Sequence, residues 1–475
     1  MKTLFAFISM AAGVLAVAGC SKMDGVESTP GISSIWKVSM QGSSGTGTKV
    51  LTEEGTSLKH TWGENDKVYV MKMDDGTICG TLIPEITGTS KTYLKGEIEG
   101  DFTKDDKFLL ISTARSNFSG ALIFGGSGTL EDLSQYIYGT AEGLIETLNE
   151  DGKILQFADA TFKPCQSVTK FTLDRPVSRL YVSAPGIAYV IDSPSMTVYN
   201  SVLQCYDPSF ASRNTFYCAI YGDISGTFTI IAEDESDKLF TATKTASLEA
   251  GKFYTADLQL TSLSEAVASQ PEWVDIGSTV QWRTRNLGAD KPIESGNHYA
   301  WGEIETKTDY SWGTYRYGDD PFRLTKYCYN ASYGKDGYVE DPIRYTLEAE
   351  DDAATQVLGD SYRIPTIDEW IDMSSHCCSA IVSYDPEMPG IIYLSYKKEN
   401  AFVYLPVTGE YDGESFSNPY SGSGYYWTST SVRKGSENGS YPYEAFSIRF
   451  IRNSIYVGLR FGRQLGKAIR PVKVD

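Results

Sequence analysis

Thr61-Trp62-Gly63-Glu64-Asn65-Asp66-Lys67-Val68-Tyr69-Val70 decides how the first half of the chain is read. Gly-Glu-Asn-Asp is turn chemistry, and the residues after it alternate faces at period two, so a tight turn feeds a strand. Trp62, just ahead of the turn, is the expected core anchor. The strand ends at Asp74-Asp75-Gly76, and Thr77-Ile78-Cys79 begins another, which predicts a hairpin. Further short apolar or alternating runs at 107–112, 169–173, 180–183, 216–220 and 227–232 are each bounded by turn residues. Many short strands of this kind predict sandwiches.

The chain has 475 residues, enough for about three domains by the usual length prior. Its 44 glycines, 32 tyrosines and 13% aromatic share, with few periodic helical segments, describe a strand-and-turn-rich exported protein. A formal net charge of -19 argues against a nucleic-acid partner, because most of such a surface repels a phosphate backbone.

Val17-Ala18-Gly19-Cys20 closes an apolar stretch, Leu4 to Val17, that comes after Lys2. The stretch suits a secretory signal and is too short to span a bilayer. The small-residue pair before Cys20 resembles the cleavage and acylation site of bacterial lipoproteins. That resemblance implies a diacylglycerol on the Cys20 sulfur, a flexible tether over 20–30 after the signal at 1–19, and outer-membrane lipid as a partner. The expected location is the outer membrane, lipid-anchored, at the cell surface. Seven cysteines remain, at 79, 165, 205, 218, 328, 377 and 378. Cys205 and Cys218 lie in two apolar runs separated by turn residues, so they could be bridged across strands or be small buried hydrophobes.

The 61–70 stretch and Leu248-Glu249-Ala250-Gly251-Lys252-Phe253-Tyr254-Thr255-Ala256-Asp257-Leu258 resemble motifs of the fimbrillin-like lipoprotein family. The resemblance covers 31–260 and implies all-β sandwich units and a role as pilus subunit, pilus anchor or accessory adhesin. Residues 261–271 break the strand pattern and are expected to link to a second region. From 272 to 475 the landmarks Gly296-Asn297-His298-Tyr299-Ala300-Trp301-Gly302-Glu303, Tyr362-Arg363-Ile364-Pro365-Thr366, Tyr426-Trp427-Thr428-Ser429-Thr430 and Arg470-Pro471-Val472 resemble the major paralogous domain (FISUMP) family. The segment at 362–370 is similar to one in formylglycine-generating enzymes, whose fold is a variant of the C-type lectin fold. The resemblance implies an α+β C-type-lectin-like domain with long loops. Read from its own residues, Pro365-Thr366 starts a helix, Asp368 and Glu369 sit in its first turn, and Trp370 faces inward.

No catalytic residue, metal ligand or cofactor is expected. The three histidines have no metal or nucleophile spacing, and the Gly42 to Lys49 stretch lacks the lysine placement and helix of a phosphate loop. Formylglycine-generating chemistry depends on a reactive cysteine pair near the chain's end, and no cysteine comes after Cys378. Glu348, Glu350, Asp351 and Asp352 could gather calcium, but capping of a helix at Ala353-Ala354 is the favoured reading.

Recognition is the better expectation. Tyr411 to Tyr425 mixes Tyr, Ser, Gly and Asn as recognition loops do, which marks Tyr420 and Tyr425. Alternation over 444–461, with a turn at 452–454, predicts a hairpin presenting Arg449, Tyr456 and Arg460 on one face, a basic island suited to an anionic sugar or carboxylate. Trp312, Tyr315 and Tyr317 form another contact set. The expected partner is an external glycan or protein ligand, with pilus subunits as the alternative.

Overall fold

The computed structural model describes residues 35–44, 50–55, 57–113, 127–133, 137–190, 198–206, 209, 211–417, 422–433, 441–451 and 454–474. Cys20, its tether, residues 45–49 of the glycine-serine stretch, the 452–453 turn and Tyr420 lie outside the described residues. No described helix is long and apolar enough to cross a membrane. The chain divides into two compact units, the first holding 35–113 and 137–165, the second 127–133 and most of the chain beyond 166.

In the first unit Asp66 accepts a hydrogen bond from the Gly63 N–H at 2.8 Å, which fixes the turn. Trp62 is fully buried, edge-on to Phe162 at 5.7 Å, and the strand Lys67–Lys72 comes next with Val68 and Val70 in the core. That strand pairs with Ile78–Pro84 as the sequence predicts. Gly80 and Gly96 are required where neighbouring strands approach, because a Cβ there would fall 2.3 and 2.0 Å from a carbonyl oxygen across the sheet. A two-sheet sandwich is not what forms. Eight strands make one sheet whose ends meet, with Val50–Glu54 and Ser57–Thr61 as a separate hairpin: Ile154–Phe157 and Ala160–Pro164 each pair with both Ile35–Ser44 and Tyr138–Asn149. Closure satisfies both edges, and hairpin periodicity alone does not reveal it.

The second unit begins with two sheets. Arg213–Tyr221, Gln166–Val177 and Phe253–Leu258 form one; Leu203–Tyr206, Arg179–Ser183, Ile224–Glu233, Leu239–Leu248 and Thr261–Ser262 form the other. The stretch expected as a linker holds the helix Leu263–Ala268, whose Leu263 and Val267 are buried in the same core.

Beyond it, Trp273–Val274, Gln281–Arg283, Val472–Lys473 and Tyr362–Arg363 form a four-stranded sheet that ties the end of the chain to the start of this region. His298–Tyr299, Lys467–Ala468, Ser423–Ser431, Glu444–Ile451 and Ser454–Gly462 form a five-stranded one. The helix Ile367–Asp372 starts where the sequence predicts, with a Thr366/Glu369 capping box, and the Arg363 guanidinium grips Glu369 at 2.8 and 2.5 Å.

A third sheet, Cys378–Ser383, Gly390–Ser395 and Phe402–Pro406, serves two cores. Ile392, Leu394, Phe402 and Tyr404 pack with Phe171, Val182 and Ile230, whereas Ile391, Tyr393, Val403 and Leu405 pack with Trp282 and Trp370. Period two on a strand covered on both faces gives this double service. The Asn400 N–H donates to Thr229 Oγ1 at 3.0 Å and Gln270 Nε2 to the Phe402 carbonyl at 2.9 Å, so residues 166–262 and 272–474 act as one packed body.

Glu233, nearly fully buried with Arg179 Nη1 at 3.2 Å, has its carboxyl pushed up to about 7 by burial, against the opposing pull of that guanidinium. A carboxyl that binds its proton more tightly when folded stabilises the fold below its ordinary range, and the contribution is lost as pH rises toward 7. Unfolding at pH 5 and pH 8 should therefore show a loss of about 2–3 kcal/mol that Glu233→Gln abolishes. Equal pH dependence in both proteins would refute it.

Candidate ligand-binding surface

Between His298–Tyr299 and the helix Ala353–Leu358 runs a long segment of turns held by buried tyrosines. Tyr310 Oη donates to the His298 carbonyl at 2.6 Å and Tyr315 Oη to the Trp301 carbonyl at 2.8 Å, while Tyr317 Oη donates to Asp351. Arg463, fully buried, lies 4.6 Å from the Trp301 ring centroid and donates to the Tyr327 carbonyl at 3.0 Å. Its planar fork thereby binds this segment to the five-stranded sheet.

On that frame five rings gather at the surface. Trp312 meets Tyr443 edge-on at 6.1 Å, and Tyr443 stacks on Tyr441 at 5.2 Å and 8°. Tyr333 lies 5.9 Å from Tyr443 and 6.0 Å from Tyr441, and Phe322 stacks on Tyr333 at 5.2 Å. Phe322 is 57% exposed and Tyr441 37%; the others are half-buried. Gly334 sets the path between them, since a Cβ there would lie 1.8 Å from the Tyr338 carbonyl oxygen. Asp320 accepts from the Phe322 N–H at 2.8 Å, and Arg323 pairs with Asp319 at 3.0 Å beside the rings. A contiguous exposed aromatic surface with a polar rim is a binding feature, because single exposed rings are ordinary and joined ones are not.

Of the residues the sequence marks for contact, Trp312 belongs to this surface. Tyr315 and Tyr317 do not: both are buried, with the Tyr315 hydroxyl committed to the Trp301 carbonyl and that of Tyr317 to Asp351. Tyr425 is also buried, beneath Arg449, whose guanidinium lies 5.2 Å from its ring centroid. Arg449 pairs across the hairpin with Tyr456, which is exposed. Arg460 is on the other face. The register shifts between Ser447 and Ile448, with Gly458 (φ +85°) as the extra residue, and Arg460 then pairs with Phe446 on the side that carries Ile448 and Val457. A bulge reverses the alternation beyond it, so the three side chains do not form one basic island. Phe322, Tyr333, Tyr441 and Tyr443 escape sequence reasoning, because they sit in turn-rich segments without period; the only signal is their density beside Gly, Pro and Asp.

Beside Arg449 the buried Lys467 ion-pairs with Glu410 and sits 3.8 Å from the Phe461 ring centroid and 4.5 Å from that of Tyr425. Burial holds its ammonium down, to about 8. His298 is likewise a core residue, its Nε2 3.0 Å from the Thr408 carbonyl and its pKa lowered by burial.

The acidic cluster at 348–351 has an occupant other than calcium. Lys326 Nζ lies 2.9 Å from Glu348, 2.8 Å from Glu350 and 2.6 Å from Asp351, so an ammonium fills the place a cation would take. Asp352 caps the next helix, accepting from the Thr355 N–H at 3.0 Å and also from the Ile364 N–H at 2.9 Å.

No protein-family model and no curated protein matches the chain. Among solved structures it is similar to a fimbrial protein from Bacteroides ovatus, at 10% identity and a TM-score of 0.25 over 92% of this chain and 99% of that one. It is also similar to the C-terminally truncated tip fimbrial protein Mfa3 from Porphyromonas gingivalis, at 6% identity and a TM-score of 0.25 over 47% of this chain and 94% of that one. Likeness that slight does not define a shared fold.

Proposed function

We propose that this chain is a lipid-anchored outer-membrane protein of the cell surface that binds an external glycan through its C-terminal region, without catalysis. The reading takes anchoring from Cys20, the fimbrillin-like character of 31–260 from its motifs, and a C-type-lectin-like domain over 272–475 from the FISUMP landmarks. One observation carries the binding: the joined rings of Trp312, Phe322, Tyr333, Tyr441 and Tyr443. A sugar ring presents C–H groups made slightly positive by their oxygens, and these suit the negative faces of aromatic rings. Its hydroxyls can meet the polar rim. The net charge of -19 favours a neutral or weakly charged glycan over a polyanion.

The test is a glycan array probed with the full chain and with a Phe322→Ala/Tyr441→Ala variant. Losing the two ring stacks should cost about 1–3 kcal/mol, and thermal unfolding of the variant checks that it stays folded. Binding should weaken about 10- to 100-fold. An unchanged affinity, or no glycan bound with the chain instead co-purifying in a fibre, would discard this reading in favour of a pilus anchor or tip subunit.

A further inference from the structure

Cys205 and Cys218 stand in facing strands of the two sheets in the 166–262 region. Cys205, in Leu203–Tyr206, pairs with Leu180 in the five-stranded sheet; Cys218, in Arg213–Tyr221, pairs with Thr169 in the three-stranded one. Their sulfurs are 3.2 Å apart across the core, and both residues are fully buried. The sulfurs of Cys79, Cys165, Cys328 and Cys377 lie instead against oxygens of Thr77, Thr140, Asn330 and Gly277. We infer that Cys205 and Cys218 form a disulfide that staples the two sheets together when the chain meets an oxidant.

The sulfurs need to close by only about 1.2 Å to reach bonding distance, which small side-chain rotations supply. The step is thiol–disulfide exchange: one cysteine thiolate attacks a donor disulfide and expels a thiol. The second thiolate then attacks the mixed disulfide and expels another, so two S–H groups become one S–S bond while the donor is reduced to two thiols. Each of the two protons lost goes to solvent or to a leaving thiolate. Within the closed core the thiols are inaccessible, and mutual hydrogen bonding and burial raise Cys218 far above the ordinary thiol range. Exchange must therefore precede closure of the sandwich, in the folding chain. The two residues are thirteen positions apart, so the bond closes a short loop and limits the unfolded ensemble.

That the bond forms in the cell rests on the proposed export; that the geometry permits it does not. The full chain, made without its signal in a reducing cytoplasm, is denatured and refolded with oxidised and reduced glutathione, then alkylated and digested for peptide mass mapping. The expected product is a peptide pair linked through 205 and 218, with a Tm about 4–6 °C above that of the reduced protein. A Cys205→Ala/Cys218→Val variant should fold and show no such response to reductant. Refolded wild type with both residues alkylated would overturn the inference. A linked pair after refolding, with free thiols in protein from the native membrane fraction, would uphold the pairing and count against export.

Discussion

Trp282→Ala is expected to cost the second unit about 3–5 kcal/mol. The indole is fully buried, meets Trp370 edge-on at 4.6 Å, and donates from Nε1 to Ser278 Oγ at 3.0 Å. It lies on the strand Gln281–Arg283, which joins the beginning of the 272–475 region to Val472–Lys473 at its end. Truncation leaves a cavity against Trp370 and takes away an aromatic pair worth a further ~1 kcal/mol, in the core that Ile391, Tyr393, Val403 and Leu405 of the third sheet also enter. Tm should fall by roughly 5–8 °C. Trp273 is the control. It stacks on Tyr362 at 4.7 Å but is only half-buried, so Trp273→Ala should cost about 1–2 kcal/mol. Equal losses in urea titrations of the two variants would show that the Trp282–Trp370 contact does not hold this core.

Asp351→Ala is expected to cost about 3–5 kcal/mol, although only one small side chain is removed. Asp351 is buried and accepts from Tyr317 Oη, from Tyr327 Oη at 2.5 Å and from Lys326 Nζ at 2.6 Å. Burial opposes the charge on Lys326, yet its hydrogen bonds to Asp351, Glu350 and Glu348 prevail and raise it above the ordinary lysine range. Without Asp351 the two hydroxyls and the ammonium lose their common acceptor beneath the segment that carries Trp312 and Phe322. Glu350 bonds the same lysine at 2.8 Å, but its side chain is 73% exposed. Glu350→Ala should therefore cost under about 1 kcal/mol. Thermal unfolding of the two variants separates a buried hub from a solvated partner, and equal shifts would refute the distinction.

The sequence by itself determined what depends on neighbours along the chain. Asp66 closing its turn, the hairpin around 74–76, Trp62 as an anchor and the capping box at Thr366 and Glu369 come from residue type and spacing over a few positions. The tertiary structure alone decided the rest. The closure of the first sheet needs Ile35–Ser44 to meet strands more than a hundred residues on, and no local period encodes that pairing. One extra residue at Gly458 turned Arg460 away from Arg449, because strand alternation keeps no memory across a bulge. The aromatic surface joins rings from 312, 322, 333, 441 and 443, and the buried cations Arg463 and Lys467 pack against rings of other segments. Local chemistry fixes turns and periods; convergence of distant side chains is set by how the cores pack, and so it became legible only in the folded chain.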